Sequence, residues 1–174
     1  DERRYATPSD ALIAKYAGVF RHESEPADLL AWIWRERGLC GYRGGLFWLV
    51  DPDVYSPMAR RFPGVGPDAL VFARSRMGCL FTLESGSLLH LNVHTGAYAP
   101  LGTKLGVLFE WSLCAESFWK RACYGKYELA AIGAHGPIEP QECIGYAPAL
   151  ASGGKERVGN MRMFEISEHL GRLA

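Results

Sequence analysis

The residues best suited to chemistry in this chain lie between Glu84 and His94, where Ser85, Ser87, His90 and His94 crowd into one short stretch. A serine with a histidine close by could supply a nucleophile and its base. The pattern Glu84-Ser85-Gly86-Ser87 lacks the Gly-x-Ser-x-Gly elbow, however, and reads instead as a hairpin turn feeding a strand. His90 and His94 are four apart, which on a strand places them on one face about 13 Å apart, too far to share a metal ion. On a helix the spacing would suit zinc, but the glutamate of that motif is missing. His22, His135 and His169 are isolated in sequence and read as loop or helix-surface residues.

Other fragments of known chemistry fail in similar ways. Gly153-Gly154-Lys155 could cradle an anion, yet it lacks the earlier glycine and the following hydroxyl of a phosphate loop, so a plain turn is expected. Gly64-Val65-Gly66-Pro67 has no preceding strand and no third glycine, and its proline removes an amide that a dinucleotide phosphate would need. Asp51 and Asp53 flank Pro52 and are better placed to make a turn and cap a helix than to act as acid and base. No catalytic, metal or cofactor residues are assigned, and the expectation is a protein that is not an enzyme.

The elements that would position any site follow from periodicity. Leu12, Ile13, Tyr16, Ala17, Val19 and Phe20 predict a first helix. A second runs from Pro26 through Leu29, Leu30, Ile33 and Trp34 to the stop at Gly38. Residues Tyr42 to Gly45 read as a turn, the apolar run Leu46 to Val50 as a buried strand, and Asp53 as the cap of a short helix through Tyr55, Met58 and Phe62. Strands are then predicted at Leu70 to Arg74, Cys79 to Leu83, Leu88 to His94 and Ala97 to Pro100. They are joined at Met77-Gly78, Ser85-Gly86 and Thr95-Gly96, as an antiparallel meander requires. Helical spacing returns from Leu108 through Trp119 to Tyr124-Gly125, and again from Tyr127 to Ala134. Cys143 to Leu150 reads as extended because Pro148 biases Ala147 away from helix, and Ile166 to Leu173 reads as a closing helix.

The class is therefore α+β, an antiparallel meander with helices before and after it, in two lobes packed as one compact unit. The one seam, near Pro100 to Gly106, divides the chain into residues 1–102 and 103–174.

Bulk composition narrows the partners. Nineteen basic and nineteen acidic residues give a net charge of zero, with no run of either sign, which disfavours nucleic acid or a membrane surface as a direct partner. Five unpaired-looking cysteines, Cys40, Cys79, Cys114, Cys123 and Cys143, suit a reducing cytoplasm. The first ten residues carry no export signal and no stretch is long enough to span a bilayer, so a soluble, non-exported chain is expected. Trp32 and Trp34 lie about 200° apart around a helix axis and cannot both face one core, so one of them is expected at an interface.

Two stretches resemble a known family. Pro26, Leu29, Leu30, Trp32, Gly38, Tyr42, Gly45, Leu46, Phe47, Trp48, Val50, Asp51, Pro52 and Tyr55 follow the order typical of the GAD-like domain. Cys143-Ile144-Gly145-Tyr146-Ala147-Pro148-Ala149-Leu150-Ala151-Ser152-Gly153-Gly154 looks like the signature of the C-terminal domain of type VI secretion immunity proteins, with Ser152 where the family has leucine. The resemblance implies a GAD-like domain over 1–102 and an immunity-protein domain over 103–174. It further implies a cytoplasmic protein without a cofactor that neutralises a cognate nuclease effector, a DNase toxin, by binding it. The alternative is an interaction module with another cytoplasmic partner. A basic nuclease calls for local acidity on a neutral inhibitor. Asp51, Asp53, Glu110 and Glu116, with Trp32 as an aromatic anchor, are the interface candidates.

Overall fold

A computed structural model describes residues 2–18, 29–110, 115–122, 127 and 133–174. Seven strands form one antiparallel sheet in simple chain order: β1 (Glu2–Ala6), β2 (Leu39–Tyr42), β3 (Phe47–Leu49), β4 (Leu70–Ser75), β5 (Leu80–Glu84), β6 (Ser87–Asn92) and β7 (Ala97–Gly102). Helices α1 (Asp10–Tyr16) and α2 (Leu29–Arg37) lie between β1 and β2, and α3 (Pro52–Ala59) follows β3. After the sheet come α4 (Leu105–Glu110) and α5 (Glu116–Ala122), then a separate two-stranded sheet of β8 (Glu142–Tyr146) and β9 (Met161–Glu165), and α6 (Ile166–Leu173). The class is α+β, as the sequence predicts.

Turn chemistry sets the meander. Ser85 and Gly86 both hold positive φ, 49° and 75°, so two residues suffice to join Glu84 to its partner Ser87. The predicted turns at Met77-Gly78 and Thr95-Gly96 are also present, with Gly78 and Gly96 at φ 76° and 72°.

Both faces of the sheet are covered. On one, Ile13, Leu30, Ile33 and Trp34 from α1 and α2, Leu105 and Leu108 from α4, and Phe118 from α5 pack on Phe47, Leu49, Phe72, Phe81 and Leu88. On the other, Tyr55 and Ala59 of α3, Cys143, Ile144 and Tyr146 of β8, Met161 of β9, and Ile166 and Leu170 of α6 pack on Trp48, Val71, Leu80 and Leu91. Double coverage explains the unbroken apolar run at Leu46 to Val50: Phe47 and Leu49 serve one face and Trp48 the other.

Several boundaries differ from those read in the sequence. β1 and β2 are strands where no strand was predicted, and β2 ends at Tyr42, the first residue of the expected turn. The helix after β3 is capped by Asp51, whose Oδ1 accepts the Asp53 amide at 2.8 Å, because Pro52 occupies the first helical turn; Asp53 is inside the helix. The helix expected from Leu108 to Gly125 is, over the described residues, two helices with Ala115 outside both. The extended stretch from Cys143 stops at Tyr146. A cis Ala147–Pro148 bond turns the chain, and Leu150–Ser152 forms a 3-10 turn. The first helix ends at Tyr16; its predicted end at Val19 and Phe20, the helix start at Pro26, and most of the helix at Tyr127 to Ala134 lie outside the described residues.

Candidate functional site

Helix α2 separates its two tryptophans as its geometry demands. Trp34 is fully buried, whereas Trp32 is 52% exposed, the most exposed large apolar side chain among the described residues. Trp32 stands at the rim of a groove of about 430 Å³ between α2 and α4. Leu29, Ile33, Tyr42, Phe47 and Phe109 give the groove an apolar and aromatic lining, and its charged residues are Glu2, Arg37 and Glu110. Arg37 reaches Glu2 at 3.1 Å, and Glu110 has no ion-pair partner among the described residues.

The other acidic candidates lie elsewhere. Asp53 Oδ1 accepts Lys15 Nζ at 2.5 Å and the Tyr16 hydroxyl, tying α3 to α1. Those two hydrogen bonds, the lysine's first, hold the Asp53 carboxyl below its ordinary range. With Asp51 it borders a second cleft, lined by Ala6, Ser9, Leu12 and Leu39. Ala6 and Leu39 pair at one end of the β1–β2 ladder, and Glu2 and Tyr42, which line the groove beside Trp32, pair at the other. Glu116 on α5 is bound to Lys120 at 2.7 Å, and that pairing lowers its pKa. Trp32 and Glu110 therefore share a groove, Asp51 and Asp53 share a separate cleft, and Glu116 lines neither.

The residues with catalytic potential are dispersed. His90 is buried against Phe81, with ring centroids 5.2 Å apart, on the face covered by α1, α2, α4 and α5. His94 lies beyond the end of β6, and its ring nitrogen donates to the Met77 carbonyl at 2.8 Å on the opposite face. The expectation that both project from one face is thus corrected: β6 ends at Asn92, and the following turn reverses the side chain. Ser85 sits at the exposed tip of a hairpin. Among the described residues no group of three His, Cys, Asp or Glu side chains could hold a metal ion. Cys40, Cys79 and Cys143 are buried free thiols, and burial pushes them up to about 11, 12 and 12, which keeps them protonated near neutrality. Cys114 and Cys123 lie outside the described residues.

Sequence reasoning missed a buried polar layer. Arg74 is fully buried, stacked 5.1 Å from the Trp48 ring, and donates to the carbonyls of Pro140, at 2.6 Å, and Ser75. Arg76, also buried, donates to the carbonyls of Gly136, at 3.0 Å, and Gly44. These two guanidiniums pin the segment entering β8 to the sheet. His169, read as a surface residue, is instead buried against Phe164, with ring centroids 4.7 Å apart and His94 at 5.5 Å. Its ring occupies the space above Gly145, where a Cβ would come within 2.2 Å of it. Gly154 lies against the Pro148 carbonyl, 2.0 Å from where its Cβ would stand, and Gly153 holds φ 82°. The stretch from Cys143 to Gly154 is therefore a strand and a reversing turn fixed by sterics.

With this geometry in place, comparison with known proteins identifies the N-terminal part. Residues 3–85 match the GAD-like domain family, so the chain contains a GAD-like domain running from β1 to the β5–β6 hairpin. Three solved chains match this one. One of them is the crystal structure of Atu4351 from Agrobacterium tumefaciens, which matches with a TM-score of 0.80 at 19% identity, over 97% of this chain and 81% of that one. At that identity the likeness establishes the fold. A search of curated protein sequences gave no match. No described helix is long and apolar enough to cross a membrane.

Proposed function

We propose that this protein is a cytoplasmic immunity protein of a type VI secretion system, which binds a cognate nuclease effector and blocks it without performing chemistry itself. The observation that carries this reading is the GAD-like domain over residues 3–85, in a chain that also bears the Cys143 to Gly154 stretch resembling the immunity-protein signature. Binding rather than turnover is supported by how side chains are distributed. His90 and His94 serve opposite faces of the sheet, the described thiols are buried, and Trp32 is offered to solvent. A solvent-facing tryptophan is a frequent interface anchor, because its large ring is desolvated only when a partner covers it. Trp32, Glu110, Asp51, Asp53 and Glu116 are the residues proposed to meet the toxin.

The test is a plasmid-nicking assay with the toxin domain encoded beside this gene, titrated with the protein and followed by size-exclusion chromatography. Inhibition that saturates at a fixed ratio, with co-elution, is the expected result. Undiminished nicking with separate elution would sink the reading for that pair, leaving an interaction module for another cytoplasmic protein.

A further inference from the structure

The four large apolar side chains most exposed among the described residues are Trp32, Val54, Val107 and Met163, and Trp32 alone among them lines the α2–α4 groove. Three features of that groove specify an occupant. Its lining is aromatic and aliphatic, from Tyr42, Phe47, Phe109, Leu29 and Ile33, which suits an apolar side chain. Among the described residues its charge balance is negative: Arg37 is committed to Glu2, and Glu110 stands on the rim without an ion-pair partner. Phosphates are repelled by such a rim, which rules against a nucleic-acid strand stacking on Trp32. Its polar groups also lie around the edge instead of converging on a buried centre, unlike the few fixed polar contacts that orient a small ligand.

We infer that the α2–α4 groove is a docking site for a basic protein surface, which inserts an aromatic or aliphatic side chain beside Trp32 and sets a lysine or arginine against Glu110. The inference deepens the immunity reading by naming the part of this chain that meets the toxin, and for its choice of partner it rests on that reading. The mechanism divides between the two side chains. Trp32 supplies contact area that loses water only in the complex, so it governs dissociation. Glu110 lies at the exposed rim, so it acts mainly on the association rate and its salt dependence.

The experiment measures association and dissociation rates of the toxin domain with the full chain and with Trp32→Ala, Glu110→Lys, Val54→Ala and Met163→Ala. Trp32→Ala is expected to weaken binding about 30-fold, mostly through faster dissociation. Glu110→Lys is expected to slow association about tenfold at low salt, with the difference shrinking as salt rises. The Val54 and Met163 variants should bind like the unmodified chain. If the unmodified chain binds and the Trp32 and Glu110 variants bind equally well, the groove is not the site while the immunity reading stands. Failure of the unmodified chain to bind overturns that reading for the pair and this inference with it. Native mass spectrometry adds two outcomes that overturn the assignment: a dimer abolished by Trp32→Ala would make the occupant a second copy, and a retained small molecule lost in that variant would make it a ligand.

Discussion

The two faces of the seven-stranded sheet are sealed by different chemistry. Beneath α1, α2, α4 and α5 the contacts are apolar and aromatic: ring centroids are 5.3 Å apart for Phe47 and Phe81 and 6.1 Å for Phe81 and Phe118, with the polar ring of His90 buried against Phe81. Beneath β8, β9 and α6, the apolar packing is interleaved with Arg74, Arg76 and His94, which donate to backbone carbonyls of other segments, and with His169, whose ring stacks on Phe164. An apolar face gains stability by area and tolerates approximate fit, whereas a buried polar face must satisfy each donor and so fixes one arrangement of the chain that covers it. The polar face thus dictates where the C-terminal hairpin docks.

The largest expected effect is on the apolar face. Phe81→Ala should cost about 4 kcal/mol in urea unfolding, as the lost contacts and the cavity add. A loss under 1 kcal/mol would mean that this face is not close-packed. Next, Arg74→Met keeps most of the side-chain volume but strands the Pro140 and Ser75 carbonyls, for an expected loss of about 2–3 kcal/mol. Hydrogen exchange should rise in β8 and β9 before β5 and β6. A more stable Arg74→Met variant would show that the guanidinium is a net burden, as buried charges often are, and would break the comparison.

The third prediction concerns acid. Burial lowers His94 and His169 from 6.5 to about 4, because a charged imidazole is poorly solvated there, and at His169 repulsion from His94 and Arg172 adds to it. The folded-state pKa lies below the unfolded value, so the stabilisation is complete above pH 6.5 and drains away as pH falls towards 4. His169→Leu should therefore flatten the stability profile between pH 7 and 4.5 by roughly 2 kcal/mol. An unchanged profile would place the acid sensitivity in His94 or in His90, which burial also lowers to about 4 on the other face. The smallest effect is Gly145→Ala, expected to cost about 1.5 kcal/mol by pushing a methyl into the His169 ring, with most of the loss recovered in the Gly145→Ala/His169→Ala pair. Additive losses would show that the ring and the glycine do not constrain each other.

The same division explains what could be read from sequence. The apolar face was legible: Leu30, Ile33 and Trp34 mark the inner side of α2, and glycine turns delimit β4 to β7; on the other face the closing helix, Ile166 to Leu173, was legible too. β1 was not, because Glu2, Arg3 and Arg4 form an exposed sheet edge with no apolar alternation to reveal it. The polar face escaped for a deeper reason. Arginine and histidine are ordinarily read as surface residues, and only the three-dimensional placement of Pro140, Gly136, Gly44 and Met77 supplies the carbonyls that Arg74, Arg76 and His94 meet once buried. For the candidate site, helical geometry separated Trp32 from Trp34, but nothing local placed Glu110 across the groove from α2 or sent Asp53 to Lys15.

The glycines of the Cys143 to Gly154 stretch have a consequence for which positions of this chain are free to vary. Gly145 lies beneath an imidazole and Gly154 against a carbonyl, so these two positions answer to the interior of their own chain. Trp32 and Glu110 carry no comparable internal duty. A lineage can therefore exchange them without refolding anything, whereas Gly145 and Gly154 cannot drift without displacing the groups packed on them.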